Sequence, residues 1–210
     1  PSTFQVDSLR YTNARAIATQ QTGFWMLGQA RSWLPDEIGG ILWFGVDDAA
    51  TSCLTPIYSS GLRAPKCFEV GNGHLTQYSP TAAFWLFNRV AQFAYLRYNL
   101  VAPEIQKAAD EHELGAMQII PTVDAEALRL YKTKPGEVKE YLTVWSEKFA
   151  DRMFKKWKEL DEYLLVKFID GNTKHQNPDG SFKNNGHSDK VPPQPMFPGY
   201  SDTYKRAVAK

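Results

Sequence analysis

The chain has 210 residues, of which 43% are hydrophobic and 13% aromatic, so it is long enough to bury a sizeable core. Its 24 basic and 23 acidic residues give a formal net charge of +1, which excludes a bulk field that would attract nucleic acid or an anionic membrane. No apolar run approaches the length of about 18 residues that a membrane span needs, so no span is predicted.

The first third of the chain is predicted to be rich in strands. Residues 1–12 show no clear periodicity and are interpreted as a loop. Residues 14–20 alternate imperfectly between apolar and polar side chains, and residues 24–30 form a second strand candidate. The short link through Gly23 predicts a hairpin between them.

The stretch from Trp33 to Tyr58 is the strongest strand signal. An apolar run, Ile41 to Val46, is entered through two glycines and left through Asp47 and Asp48, and a second β-compatible run ends at Tyr58. This pattern predicts a buried hairpin or pair of strands.

Helices are predicted after Pro80. Residues 81–100 would form a helix that is apolar on nearly every face. Such a helix must be packed against other parts of the protein on most sides. Pro103 interrupts that pattern or starts a new helix. Further helices are predicted at 104–113, with His112 exposed, at 121–131, and from about 143 to 168.

Strands first (about 14–70) and helices after (about 80–168) predict an α+β fold with helices packed over one sheet. We assign residues 1–171 to this domain and residues 172–210 to a polar, proline-rich tail. The tail holds His175 and His187, but no ligand spacing recurs, so no metal or other cofactor is expected.

No catalytic motif is visible in the residues themselves. There is no phosphate loop, no Gly-x-Ser-x-Gly elbow and no His-Glu-x-x-His. Cys53 and Cys67 are too few for a disulfide scaffold and lie in or beside predicted strands, where a free thiol acts as a small apolar residue. Asp47 and Asp48 are interpreted as turn caps, the alternative being that they face a substrate amino group.

Several short strings carry a resemblance. They are RAI at 15–17, QAR at 29–31, WLPDEIG at 33–39, LWFG at 42–45, ATSC at 50–53, PIY at 56–58, LRYN at 96–99, WKEL at 157–160 and YLLVK at 163–167. In this order, over roughly residues 10–171, the chain resembles the dipeptidase A type cysteine peptidases of the N-terminal-nucleophile hydrolase superfamily.

The resemblance implies a four-layer αββα fold with two stacked antiparallel sheets. It also implies a nucleophilic cysteine exposed as the first residue of the mature enzyme, whose thiolate attacks a dipeptide carbonyl while the free α-amino group acts as base. No metal is needed for this chemistry.

The chain departs from the family at the nucleophile. It begins at Pro1 rather than Met, which indicates a processed product, a designed protein or a proteolytic remnant. Cys53 and Cys67 match non-nucleophilic positions. We therefore expect the C-terminal half of such a peptidase, inactive alone, with the N-terminal half as partner and a dipeptide as substrate. Because related enzymes place an arginine near the nucleophile, Arg15 is the predicted supporting residue, the alternative being a surface ion pair.

Two other functions remain open at this stage. The aromatic-rich surface would suit a non-enzymatic binding or scaffold domain, and the same fold would suit an amidase acting on non-peptide acyl amides. Without its N-terminal half, the sheet should expose an apolar face or edge, which predicts self-association. If a signal peptide was removed upstream, the parent protein is expected in the periplasm or outside the cell. Without a signal peptide, it is expected in the cytoplasm.

Overall fold

The fold is α+β, as predicted: 51% of the residues are helical and 15% lie in strands. The computed structural model describes residues 3–12, 16–193 and 200–209. The strands are β1 (Thr3–Val6), β2 (Leu9–Thr12), β3 (Phe24–Ala30), β4 (Gly40–Val46) and β5 (Thr55–Tyr58). The helices are α1 (Asp36–Gly39), α2 (Ala83–Leu96), α3 (Tyr98–Thr133), α4 (Val138–Phe168) and α5 (Asp202–Val208).

The strands form two small antiparallel sheets. β1 and β2 make a hairpin within residues that had been expected to form a loop, and β3, β4 and β5 make a three-stranded sheet in that order. The predicted hairpin of 14–20 with 24–30 is wrong, because residues 16–20 are not in a strand. β3 instead pairs along its whole length with β4, from Phe24↔Val46 to Ala30↔Gly40. The continuous apolar run of β4 offers β3 a longer partner than the polar residues before it.

The predicted pair of strands between Trp33 and Tyr58 is confirmed as β4 and β5. One face of this sheet is buried, and it carries Ile41, Trp43 and Tyr58 at 2%, 7% and 1% exposure. These side chains join a core cluster with residues of α3 and α4. The opposite face carries Phe24 and Met26, which are more than 60% exposed.

Two helices, α3 and α4, are longer than the sequence predicted, whereas the helix expected at 81–100 is shorter and ends at Leu96 as α2. The expected helices at 104–113 and 121–131 are parts of one helix, α3, with Pro103 and Pro121 inside it. A proline inside a helix costs about 3 kcal/mol, but packing of a buried stripe from Val101 to Leu130 maintains α3 through both prolines. Among the described residues, no helix combines the length and apolar character needed to cross a membrane.

A buried polar cluster ties the sheet to α3. Arg31 is the residue that follows β3. Its guanidinium group pairs with the Asp124 carboxylate of α3 and donates a hydrogen bond to the Ile38 carbonyl at 2.7 Å. The Tyr58 hydroxyl donates to the other Asp124 carboxylate oxygen at 2.7 Å. Burial and the neighbouring Asp124 carboxylate raise the pKa of Tyr58, so its hydroxyl stays a donor.

The chain divides into two compact units at the bond between Asp161 and Glu162, inside α4. In the second unit, Tyr163 donates to the Gln176 side chain at 2.7 Å and stacks on Phe182 with ring centroids 6.1 Å apart. Residues after the end of α4 are thus held against its last turns. The assignment of 1–171 to one domain and 172–210 to a tail stays a prediction.

Gly45, near the end of β4, provides a test of how closely the sheet is packed. A Cβ at this position would lie 2.6 Å from the Trp25 Nε1 and 2.8 Å from the Cys53 carbonyl oxygen. Because a backbone atom cannot move aside cheaply, Gly45→Ala should lower the free energy of unfolding by about 1–3 kcal/mol, measured by urea titration.

Gly28→Ala is the matched control, since Gly28 lies in β3 and its Cβ would meet nothing within 4 Å. That variant should unfold at the same urea concentration as the wild type or slightly above it. Equal midpoints for both variants would contradict the close contact at Gly45.

Candidate functional site

Asp47 combines several unusual features at the end of β4. Its backbone lies in the left-handed region, with φ of 66°, and its side chain is buried, with 1% of the residue exposed. Asn88 of α2 donates to its Oδ1 at 3.2 Å, while Oδ2 is buried and has no hydrogen-bond partner among the described residues. Buried, incompletely satisfied acids are found at functional sites more often than elsewhere.

The environment changes the acidity of this carboxyl group. Burial raises the pKa of Asp47 to about 6, assisted by the negative charge of Asp48 and opposed by the hydrogen bond from Asn88. A group with this pKa exchanges a proton close to neutral pH, which is the property required of a general acid or base.

Asp48 has an ordinary structural explanation. Its carboxylate accepts a hydrogen bond from the Ala50 backbone N–H at 3.0 Å and another from the Tyr95 hydroxyl at 3.1 Å. The predicted capping role is therefore observed for Asp48, which is 6% exposed. The pKa of Tyr95 is raised by burial and by the charges of Asp47 and Asp48, so Tyr95 acts as a donor here.

An aromatic cavity of about 500 Å³ lies at the same end of the sheet. Val46, the residue before Asp47, lines it, as does Gly23, whose carbonyl accepts the Asp47 backbone N–H at 3.0 Å. The other lining side chains include Phe24, Phe44, Phe68, His74, Phe84 and Trp85. This volume falls within the range of small-molecule sites, and the lining suits an apolar group.

Neither cysteine is suited to act as a nucleophile. Cys53 is 1% exposed, and burial together with the charge of Glu113 raises its pKa well above the ordinary value. Cys67 is 7% exposed, and burial raises its pKa to about 12. Since the thiolate is the reactive form, both groups are chemically inert near neutral pH.

The other predicted residues do not join this site. Arg15 lies outside the described residues. His112 was expected to be exposed but is half-buried, because it contacts the Thr55 hydroxyl at 3.2 Å and packs beside Phe149. His175 and His187 are exposed, and the described part of the chain contains no group of three or more potential metal ligands.

Sequence reasoning missed Asn88 and Tyr95, both of which contact the aspartates. A signal was present: the two polar residues are seven positions apart in α2, which places them on one face of that helix. The aromatic cavity was missed because its lining comes from β3, β4 and the segment between Lys66 and Trp85, which only the fold brings together.

An antiparallel sheet packed against helices, with two buried acids at the end of β4, defines an α+β domain. Residues 2–111 match the family model of peptidase family C69, and the chain belongs to that family. The resemblance to cysteine dipeptidases is thereby confirmed at the level of the family.

One curated relative shows how much of a related protein the chain represents. It is similar to a probable dipeptidase B from Lactococcus lactis subsp. lactis (strain IL1403), with 26% identity over 138 residues. The match covers 66% of this chain and 27% of the relative, so the chain spans about a quarter of that protein's length.

The raised pKa of Asp47 predicts a specific pH dependence of stability. Since the folded pKa lies above the unfolded value near 3.8, the folded state binds the proton more tightly. The wild type should lose stability as the pH rises from about 4 to about 6. Asp47→Asn keeps the left-handed backbone accessible and should remove that loss.

The measurement is urea unfolding of both proteins at pH 4, 5, 6 and 7. The stability gained by Asp47→Asn over the wild type should grow with pH and level off near pH 7, at roughly 1 kcal/mol or more. Asp110→Asn, at an exposed position of α3, serves as control and should follow the wild-type curve. Parallel curves for the wild type and Asp47→Asn would show that Asp47 is an ordinary acid.

Proposed function

We propose that this chain is the C-terminal part of a dipeptidase whose nucleophilic cysteine lies outside it. The observation that carries this proposal is the burial of both thiols, Cys53 and Cys67, in a member of a peptidase family. Family membership supports peptide-bond hydrolysis, and the name of the relative supports dipeptides as substrates. The nucleophile must then come from another segment.

The proposed chemistry is acyl transfer through that external cysteine. Its free α-amino group takes the thiol proton, the thiolate adds to the dipeptide carbonyl, and the proton passes to the leaving amine as the C–N bond breaks. The C-terminal amino acid leaves as that amine, and water then hydrolyses the thioester and releases the N-terminal amino acid. Arg15 is proposed as a supporting residue of this site.

We also propose that this chain supplies one wall of the substrate cleft. The aromatic cavity beside Val46 is suited to an apolar substrate side chain. Asp47, which follows Val46 directly, adds a carboxyl group that changes charge near neutral pH. Both features lie at the end of β4, where a strand end can meet residues from another segment.

The open face of the sheet is proposed to be covered by the rest of the same polypeptide. Phe24 and Met26 of β3 are exposed, and Leu42, Phe44 and Ile57 on the same face are partly exposed. β3 is also an edge strand. The chain represents 27% of its curated relative, so a longer parent would contain residues to cover this face. The stacked sheets implied by the resemblance would meet here.

The first prediction concerns activity. The 210-residue chain alone should not hydrolyse dipeptides, whereas the longer polypeptide should. In the longer polypeptide, Cys53→Ala and Cys67→Ala should keep most of the activity, because neither thiol reacts. Arg15→Ala should lower kcat/KM by at least about tenfold, while Arg10→Ala, at an exposed strand position, should not.

Different outcomes separate the alternatives. Activity of the chain alone that disappears in Cys53→Ala or Cys67→Ala would overturn the external nucleophile. Hydrolysis of acyl amides but not dipeptides by the longer polypeptide would favour the amidase, and hydrolysis of neither would favour a binding domain. Unchanged turnover in Arg15→Ala would remove Arg15 from the site.

The second prediction concerns the open face. The chain alone should self-associate and bind a hydrophobic dye, because Phe24 and Met26 expose apolar surface beside a free strand edge. Met26→Lys should shift sedimentation towards the monomer and reduce dye fluorescence. Leu114→Lys, at a similarly apolar and exposed site on α3, is the matched control and should leave association unchanged.

A monodisperse wild-type monomer without dye binding would contradict this assignment. Equal effects of Met26→Lys and Leu114→Lys would mean that association is nonspecific rather than a property of the sheet face.

A further inference from the structure

A second cavity lies between α3 and α4. It is a cleft of about 340 Å³, lined by residues at helical spacing on both helices. The lining residues that matter below include Glu111, His112 and Gly115 of α3 and Phe149, Arg152 and Trp157 of α4. The volume lies at the lower end of the range for small-molecule sites, which limits an occupant to a compact ligand.

Trp157 supplies a rigid aromatic surface in the cleft lining. The residue is 1% exposed, and its ring stacks on Phe87 with centroids 4.4 Å apart and planes 7° apart. Its indole N–H is buried and has no partner among the described residues. Because this N–H has almost no accessible surface, a ligand in the cleft would contact the ring rather than the N–H, and Trp157 forms a rigid apolar base.

Charges of both signs lie around this apolar base. Arg152 is exposed and lies over the Phe149 ring at 4.8 Å, and in the described parts of the chain it forms no ion pair. Glu111 on α3 is exposed and likewise forms no ion pair with a described residue. Lys156 adds a second cation, which also pairs with Glu159 at 3.2 Å. The cleft therefore offers separate sites for an anion and a cation.

His112 is fixed as a neutral wall of the cleft. Its Nε2 contacts the Thr55 hydroxyl at 3.2 Å, and its ring lies 4.9 Å from that of Phe149. Burial and the nearby Arg152 charge lower the pKa of His112 to about 4. At neutral pH the imidazole adds no charge, so Arg152 and Glu111 dominate recognition.

We propose that this cleft binds a hydrophobic α-amino acid. Its side chain would lie on Phe149, Met153 and Trp157, its carboxylate would face Arg152, and its ammonium group would face Glu111. An apolar anion without an ammonium group would be repelled by the Glu111 carboxylate. An apolar amine without a carboxylate would be repelled by the Arg152 guanidinium. The proposal concerns binding by this chain alone and does not rest on its proposed catalytic role.

The test is a titration of the 210-residue chain followed by NMR of the indole N–H signals. The Trp157 signal is assigned by its loss in Trp157→Phe. L-phenylalanine should shift this signal saturably at millimolar concentration or below. 3-Phenylpropionate lacks the ammonium group and 2-phenylethylamine lacks the carboxylate, so both should bind about tenfold more weakly.

Charge-removing variants should separate the two ends of the ligand. Arg152→Gln should weaken L-phenylalanine and 3-phenylpropionate by about fivefold to tenfold and leave 2-phenylethylamine unaffected or tighter. Glu111→Gln should weaken 2-phenylethylamine and leave 3-phenylpropionate unaffected or bound more tightly. Lys155→Gln removes an equal charge from a neighbouring exposed position of α4 that does not line the cleft, and should change nothing.

Gly115→Leu provides a steric test that should not harm folding. A Cβ at Gly115 would meet nothing within 4 Å, and leucine favours a helix more than glycine does. Its side chain should occupy the cleft and abolish the L-phenylalanine shift, with helix content checked by circular dichroism.

Three results would overturn the proposal. One is the absence of a saturable Trp157 shift with L-phenylalanine up to about 10 mM, well above the affinity expected here. Another is equal binding of all three probes, which would reduce the cleft to a nonspecific apolar surface. The third is an undiminished shift in a folded Gly115→Leu variant.

Discussion

The position of the sheet depends on the buried pair of Arg31 and Asp124. Arg31 is 6% exposed. Its guanidinium group donates hydrogen bonds to the Asp124 carboxylate and to two backbone carbonyls, so its charge is compensated. Asp124 binds Tyr58 with its second oxygen, which joins β5 to the same point on α3. Removing one partner of such a pair costs about 3–5 kcal/mol, because the other charge stays buried. This cluster therefore favours the observed orientation of the sheet on α3.

That orientation determines which surface remains open. The face with Ile41, Trp43 and Tyr58 is turned to α3 and α4, so Phe24 and Met26 must lie on the side opposite these two helices. A one-residue slip of β3 would turn Met26 to the face that carries Trp43 and would move Leu27 out of its place opposite Trp43. The Gln29 side chain would also leave the Trp43 indole, from which it accepts a hydrogen bond at 2.9 Å. The open apolar face is thus a fixed property of the fold, which supports its assignment to a covering segment.

The sequence predicted what is encoded locally. The apolar run Ile41 to Val46 and the turn residues around it identify β4, because strand, burial and turn signals coincide there. The partners of the polar groups were not predictable: Arg31 meets Asp124, 93 residues away, and Asp47 meets Asn88, 41 residues away. The helix boundary predicted at Pro103 was wrong for a related reason. Tertiary packing of α3 maintains the helix through this proline, and the local sequence does not show that packing. Contacts that depend on tertiary structure leave little trace in local pattern.

Asp47 is the residue that the fold of this chain explains least. Asparagine would adopt the same left-handed backbone and would avoid a buried charge, so the turn itself does not require an acid. Asp48 differs, because its carboxylate accepts two hydrogen bonds that hold the turn and α2. A residue that keeps a positive φ, a raised pKa and an oxygen without a partner among the described residues reduces stability in three ways. Such a cost is typical of a site that is completed by another component, and Asp47 lies at the strand end beside the aromatic cavity, where the proposed substrate and the rest of the polypeptide would meet.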